Sequence, residues 1–416
     1  MTLAAAEPLK ASMTRYFRDL AESGAPVAWC TSVGPAELLL ALGFRVYFPE
    51  NHGAILGTSR MAGATMPLAH ARGYSPDICS YLTSDIGAFL EGVTPLTRAY
   101  GLEKVPPPAV LVYNTNQCRE VKAWFEWYGR ELGVPVFGIH SPTELEALHP
   151  AVVGGVAAQL RQLAADLAPL APRGLDLDEL ARRIALTREA SLLWRECLRQ
   201  AAARPTPWTF FDHVVHMGPI VVQRGTEDAV AYYRLLLAEL TDLAQRRAGA
   251  LPKERFRVYW EGMPIWGRLR ALSDLFAGLG TALVVSTYCN SWILEFDTAV
   301  DPWEAMARTY LEIFICRSER FKEGYISRLC REFGADGVIF HDSRTCPHNT
   351  NTRFGLPRRL AEHQDLPALI LEGDLNDLRC FSLEESRTRI EVFLEQLEDR
   401  VGANPGLDPG VTSLRN

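Results

Sequence analysis

The chain has 416 residues, 48% hydrophobic and 22% charged, with a formal net charge of -7 and nine cysteines. That profile excludes a disordered chain and leaves room for two or three domains. The mild negative charge carries no basic block, which argues against a nucleic-acid partner.

No apolar run reaches the roughly 18 residues of a membrane helix. The opening MTLAAAEPLKASMTRYF lacks the apolar core of a signal peptide, so no membrane partner and a cytoplasmic location are expected. An odd, scattered set of cysteines in a chain this long points to reduced thiols or metal ligands rather than disulfides.

In chain order, Ala4 to Glu22 has the spacing of an amphipathic helix, and Pro26 to Trp29 is a short strand ending at Cys30. Pro35 and Gly43 bracket a helix through Ala36–Leu42, and Arg45 to Phe48 is the next strand, which completes a βαβ unit. The segment Pro49-Glu50-Asn51-His52-Gly53 leaves that strand at its carboxyl end, where ligands bind in open parallel sheets. Glu50 and His52 are therefore candidate functional residues, against the alternative of two solvated loop side chains.

Pro106 to Pro108 leads stiffly into a strand, Ala109 to Tyr113, with Cys118 just past it. Lys122 to Gly129 continues as a helix whose aromatics read as core, and Val134 to Gly138 as a strand followed by His140, a hydrogen-bonded loop histidine. A helical tract runs from about Val152 to Arg204, broken between Pro169 and Gly174, with Asp176 as the cap of its second part.

A second α/β unit begins with the strand Phe256 to Trp260 and the Gly- and Pro-punctuated loop Glu261 to Gly267. Ala282 to Ser286, Gly337 to Phe340 and Ala368 to Leu371 are further strands. In the closing helix, Ser382 to Glu398, Ser382 and Glu385 have capping-box spacing. The expected fold is α/β: two doubly wound parallel-sheet domains facing across a cleft, with linking helical segments. The expected division is 1–150 (first α/β domain, with Cys79 and Cys118), 151–250 (helical linking region) and 251–416 (second α/β domain, with Cys346).

Cys79 sits in Gly73–Gly87, GYSPDICSYLTSDIG, while Cys118 and Cys346 each follow a strand. Thiolates gathered at such an edge suit an iron-sulfur cluster, whereas any one of them alone reads as a packed core thiol. A structural zinc usually takes two ligands from a knuckle such as C-x2-C, which the sequence lacks. A nucleophilic cysteine, Cys30 or Cys289, with His52, His140 or His348 as base, is a further alternative that no spacing selects. Neither G-x-G-x-x-G nor G-x-x-x-x-G-K-[ST] is present, so nucleotide binding by a glycine-rich phosphate loop is not expected.

Ser75-Pro-Asp-Ile-Cys-Ser-Tyr81, Asp85-Ile-Gly87, Cys118 after its strand, Ser343-Arg-Thr-Cys346, Leu371-Glu-Gly-Asp374 and Thr388-Arg-Ile-Glu391 resemble the 2-hydroxyacyl-CoA dehydratase and benzoyl-CoA reductase family, from about Ala28 to Glu398. Phe48-Pro-Glu-Asn-His52, Gly225-Thr226 with Tyr232-Tyr233, and Glu261-Gly-Met-Pro-Ile-Trp266 look most like a catalytic subunit of the ATP-dependent benzoyl-CoA reductases. Arg119 follows Cys118, where the dehydratases often carry an acid, and Cys30 has no ligand counterpart in the family.

The resemblance implies a [4Fe-4S] cluster held by Cys79, Cys118 and Cys346 beside an acyl-CoA thioester. It also implies a paralogous second catalytic subunit and a separate ATP-hydrolysing activator that delivers single electrons. Glu50 and His52 become the side chains for proton transfer by the same analogy. The expected activity is that of an acyl-CoA reductase of the benzoyl-CoA type. Its alternatives are a 2-hydroxyacyl-CoA dehydratase subunit or a non-catalytic iron-sulfur scaffold.

Overall fold

The structure, a computed structural model, describes residues 3–403; the outermost ends of the first and last expected domains, residues 1–2 and 404–416, lie outside it. Eight strands form two four-stranded sheets: β1 (Val27–Cys30), β2 (Arg45–Tyr47), β3 (Pro108–Asn114) and β4 (Val136–Ile139) in the first, β5 (Phe256–Glu261), β6 (Thr281–Ser286), β7 (Gly337–Ser343) and β8 (Ala368–Gly373) in the second. All neighbours are parallel, and the spatial orders β2-β1-β3-β4 and β6-β5-β7-β8 follow the same plan. The central strands β1 and β5 are buried along their whole length, as strands covered by helices on both faces must be. In each sheet the strand order reverses between the first and third strands of its lobe, β1 and β3 or β5 and β7. Such a switch point opens a crevice at the carboxyl edge.

Long helices join the lobes. Asp176 caps the helix Leu177–Arg199 by accepting the Asp178 N–H at 2.9 Å, and that helix packs on Glu227–Gln245 and on Ala36–Ala41. At this junction Arg224 and Glu37, both fully buried, pair at 3.1 Å. Glu37 also accepts the Tyr310 hydroxyl at 2.6 Å, and Arg224 donates to the carbonyls of Ser32 and Gly34 at 2.7 Å each. A buried ion pair with its remaining donors and acceptors satisfied is strongly destabilising to break, so this network fixes the loop after β1.

The segment expected to be a loop after β2 is instead the helix Pro49–Thr58. Pro49 occupies its first turn, where the missing N–H costs nothing, after Phe48 in an extended conformation. Gly53, which suggested a break, serves close packing, since a Cβ there would lie 3.0 Å from Tyr81 Cβ; one turn on, a Cβ on Gly57 would lie 2.0 Å from Asn376 Oδ1. Gly87 does the same between the helices Ala62–Ala71 and Ser80–Glu91, where a Cβ would meet the Thr65 carbonyl at 1.9 Å.

Candidate functional site

The carboxyl edges of the two sheets enclose a cavity of ≈ 480 Å³, lined from the first lobe by Glu50, Cys79 and Cys118 and from the second by Met263, Trp266, Tyr288 and Cys346. The three cysteines singled out in sequence thus share one wall. Cys79 is the residue before the helix Ser80–Glu91, Cys118 lies two before the helix Glu120–Leu132, and Cys346 ends the turn after β7. Each sulfur accepts backbone N–H groups of the turn that follows: Tyr81 and Leu82 for Cys79, Val121 for Cys118, Asn349 for Cys346.

Burial pushes all three thiols up, and Cys346 reaches about 12 even though the Arg353 guanidinium pulls it down. Thiolates aimed at oriented N–H donors in an apolar wall are the donor set an iron-sulfur cluster takes, and the residues present fit that group. Among the described residues no three His, Cys, Asp or Glu side chains converge tightly enough to hold a single metal ion. Ligands of a cluster bind separate irons and stand wider apart than those of one tetrahedral ion.

Glu50 is half-buried in the same cavity. Burial pushes its carboxyl up to about 7, against the Ser32 N–H that it accepts and the Arg224 guanidinium nearby, both of which pull it down. His52 does not join it, which corrects the expectation that both stand beside the thiols. On a helix, residues two apart are turned by about 200°, so the face that brings Glu50 to the cavity carries His52 away. Its Nδ1 lies 2.5 Å from Asp85 Oδ1 and its Nε2 2.8 Å from the Thr94 hydroxyl, inside a buried cluster where Tyr128 and Trp124 also donate to Asp85. His140 stands elsewhere, 3.5 Å from the Tyr113 hydroxyl. Cys30 is fully buried in the core.

Two acids that the sequence left without a role, and His348, weighed there only as a base for a nucleophilic cysteine, stand at the site. Glu120 Oε2 and His348 Nε2 face each other at 3.2 Å on the cavity wall, and the imidazole beside it holds the Glu120 carboxyl down at about 2. The third is Asp374, wholly buried behind the thiols. It accepts the Ser80 hydroxyl at 2.5 Å, the Thr345 N–H at 2.9 Å and the Thr345 hydroxyl at 2.6 Å, besides the N–H groups of Asn376 and Asp377 at 3.0 Å. Ser80 follows Cys79 and Thr345 precedes Cys346, so one carboxylate ties the two cysteine turns of opposite lobes together. Its sequence signals were its place three residues past the apolar run of a strand and the motif Leu371-Glu-Gly-Asp374, neither of which gave it a role.

Residues 31–397 match the family model described as 2-hydroxyglutaryl-CoA dehydratase, D-component. The (R)-2-hydroxyisocaproyl-CoA dehydratase alpha subunit of Clostridioides difficile is 27% identical over 92% of this chain and 93% of its own length. The lactoyl-CoA dehydratase alpha subunit of Anaerotignum propionicum is 25% identical over 93% and 94%. A subunit of the benzoyl-CoA reductase of Thauera aromatica is 24% identical over 88% and 87%. These names do not favour the reductase over the dehydratases, so the expected lean towards benzoyl-CoA reduction is not upheld. The match spans every strand but β1 and all three cysteine turns, and the chain belongs to the enzyme family of 2-hydroxyacyl-CoA dehydratase and benzoyl-CoA reductase subunits.

Proposed function

We propose that this chain is an iron-sulfur subunit of a 2-hydroxyacyl-CoA dehydratase, working with a paralogous second subunit and an ATP-hydrolysing activator. The observation that carries the reading is the meeting of Cys79, Cys118 and Cys346 on one wall of an apolar cavity, each sulfur facing backbone N–H groups. Cys79, Cys118 and Cys346 would hold a [4Fe-4S] cluster, which would supply low-potential single electrons there.

The chain's own residues do the rest. Trp266 and Tyr288 close the second-lobe side and keep water from the thioester. Glu50, with a carboxyl that titrates at about 7, holds or gives a proton at Oε1 while the Ser32 N–H fixes Oε2. His52 is a positioning residue that orients the helix carrying Glu50 through Asp85 and Thr94.

Benzoyl-type ring reduction is the second reading, favoured by the resemblance of Pro49-Glu50-Asn51-His52 and of Arg119 after Cys118. One anaerobic assay separates the two. The chain, its partner subunit, the activator and ATP are given either (R)-2-hydroxyacyl-CoA or benzoyl-CoA. Loss of water to give an enoyl-CoA is the expected result. Reduction of benzoyl-CoA without dehydration would replace the first reading by the second, and inertness towards both would overturn the two together.

A further inference from the structure

The cavity has a second wall that the thiols and Glu50 do not use. It is built from Leu9 and Met13 of the helix Ala6–Glu22, Val214 and Val215 of Phe210–His216, and Met217 and Val221 beside them. The two sides are in close contact: a Cβ on Gly218 would meet Met13 Sδ at 3.4 Å. Leu9, Met13, Val214, Met217 and Val221 are buried, whereas Val215 is 54% exposed at the rim.

The charges around this wall are few and mostly of one sign. Among the described residues no arginine lines the cavity; its ionisable lining, thiols and tyrosines aside, is Lys10, Glu50, Glu120 and His348. Lys10 is exposed on its helix, and His348 is already paired with Glu120. A carboxylate carried into the cavity on an acyl chain would lose its water, find no guanidinium fork, and face the Glu120 carboxylate. An alkyl or phenyl group would instead bury apolar surface against methionine, valine and leucine, and methionine adapts to either shape.

We propose that the cavity selects acyl-CoA thioesters whose acyl group is apolar, branched aliphatic or aromatic, and rejects those whose acyl group ends in a second carboxylate. This rests on the acyl-CoA reading above, and the test separates the two.

Calorimetric titration of the full chain with its partner subunit, at pH 7 and without activator, compares 4-methylpentanoyl-CoA, 3-phenylpropanoyl-CoA, glutaryl-CoA and free coenzyme A. None of these carries the 2-hydroxyl group, so binding is read without turnover. The two apolar thioesters are expected to bind at least about tenfold more tightly than glutaryl-CoA. Val215→Arg, at an exposed position that leaves the core intact, should shrink that ratio by supplying the guanidinium that the lining lacks, and Val215→Leu should preserve it. Glutaryl-CoA binding as tightly as the apolar thioesters, or all four ligands binding alike, would overturn the selectivity and leave the acyl-CoA reading standing. Failure of all four to bind would overturn both.

Discussion

The two lobes share one topology and spend it differently. Cys118 and Cys346 occupy equivalent places, each a few residues past the third strand of its sheet, β3 or β7. Past the second strand the equivalence ends: the first lobe presents Glu50 after β2, the second Tyr288 after β6. The second lobe has its own raised carboxyl, Glu261 at the end of β5, which burial also pushes up to about 7. It is sealed behind the sheet edge, bonded to the Thr287 hydroxyl and to Asn351 Nδ2, and is not part of the cavity wall. Two carboxyls that burial pushes up alike therefore have different uses. Equal pKa shifts do not mark equal function; access to the cavity does.

The contrast can be broken most severely at the point where the lobes join. Asp374→Ala removes an acceptor from Ser80, Thr345, Asn376 and Asp377 at once, leaving several buried donors unsatisfied. The expected loss is more than about 3 kcal/mol in urea unfolding, with Asp374→Asn losing less. Unchanged stability would mean that the cysteine turns are held by something else.

Glu261 and Glu50 then separate by their effect on kcat. The folded-state pKa of Glu261 lies above its ordinary 4.5, so the folded chain binds the extra proton. Its contribution is fully present below about 4.5 and is lost as pH rises through about 7, by up to about 3 kcal/mol. Glu261→Gln should flatten that part of the stability-pH profile and leave kcat nearly unchanged. Glu50→Gln should flatten the profile in the same way, because burial raises that carboxyl to about 7 as well, but it should also slow the reaction. It is expected to lower kcat by about a hundredfold, close to 2.7 kcal/mol, and to erase the ionisation near neutral pH from the rate profile. Equal effects of the two variants on kcat would dissolve the distinction between the lobes.

Much of this was legible in the sequence because it depends on strand ends. The runs before Cys118 and Cys346 are apolar and short, so their carboxyl edges could be placed, and the α/β fold with two parallel sheets follows from their alternation with helices. Glu50 and His52 were harder. Pro49 and Gly53 read as loop punctuation, and only as a helix does the segment put the two side chains on different faces. Asp374 was visible but mute, because no periodicity tells which donors a buried acid will meet across a fold. The Glu120–His348 pair joins positions from different lobes, which a single sequence does not bring together.

The central claim is that equivalent turns of two lobes jointly hold one cluster. Iron and sulfide analysis with electron paramagnetic resonance, on anaerobically purified wild type, Cys118→Ala and Cys346→Ala, tests it most directly. About four irons in the wild-type chain and their loss in both variants is the expected result. Iron that survives either substitution, or no iron in wild type, would contradict the shared site.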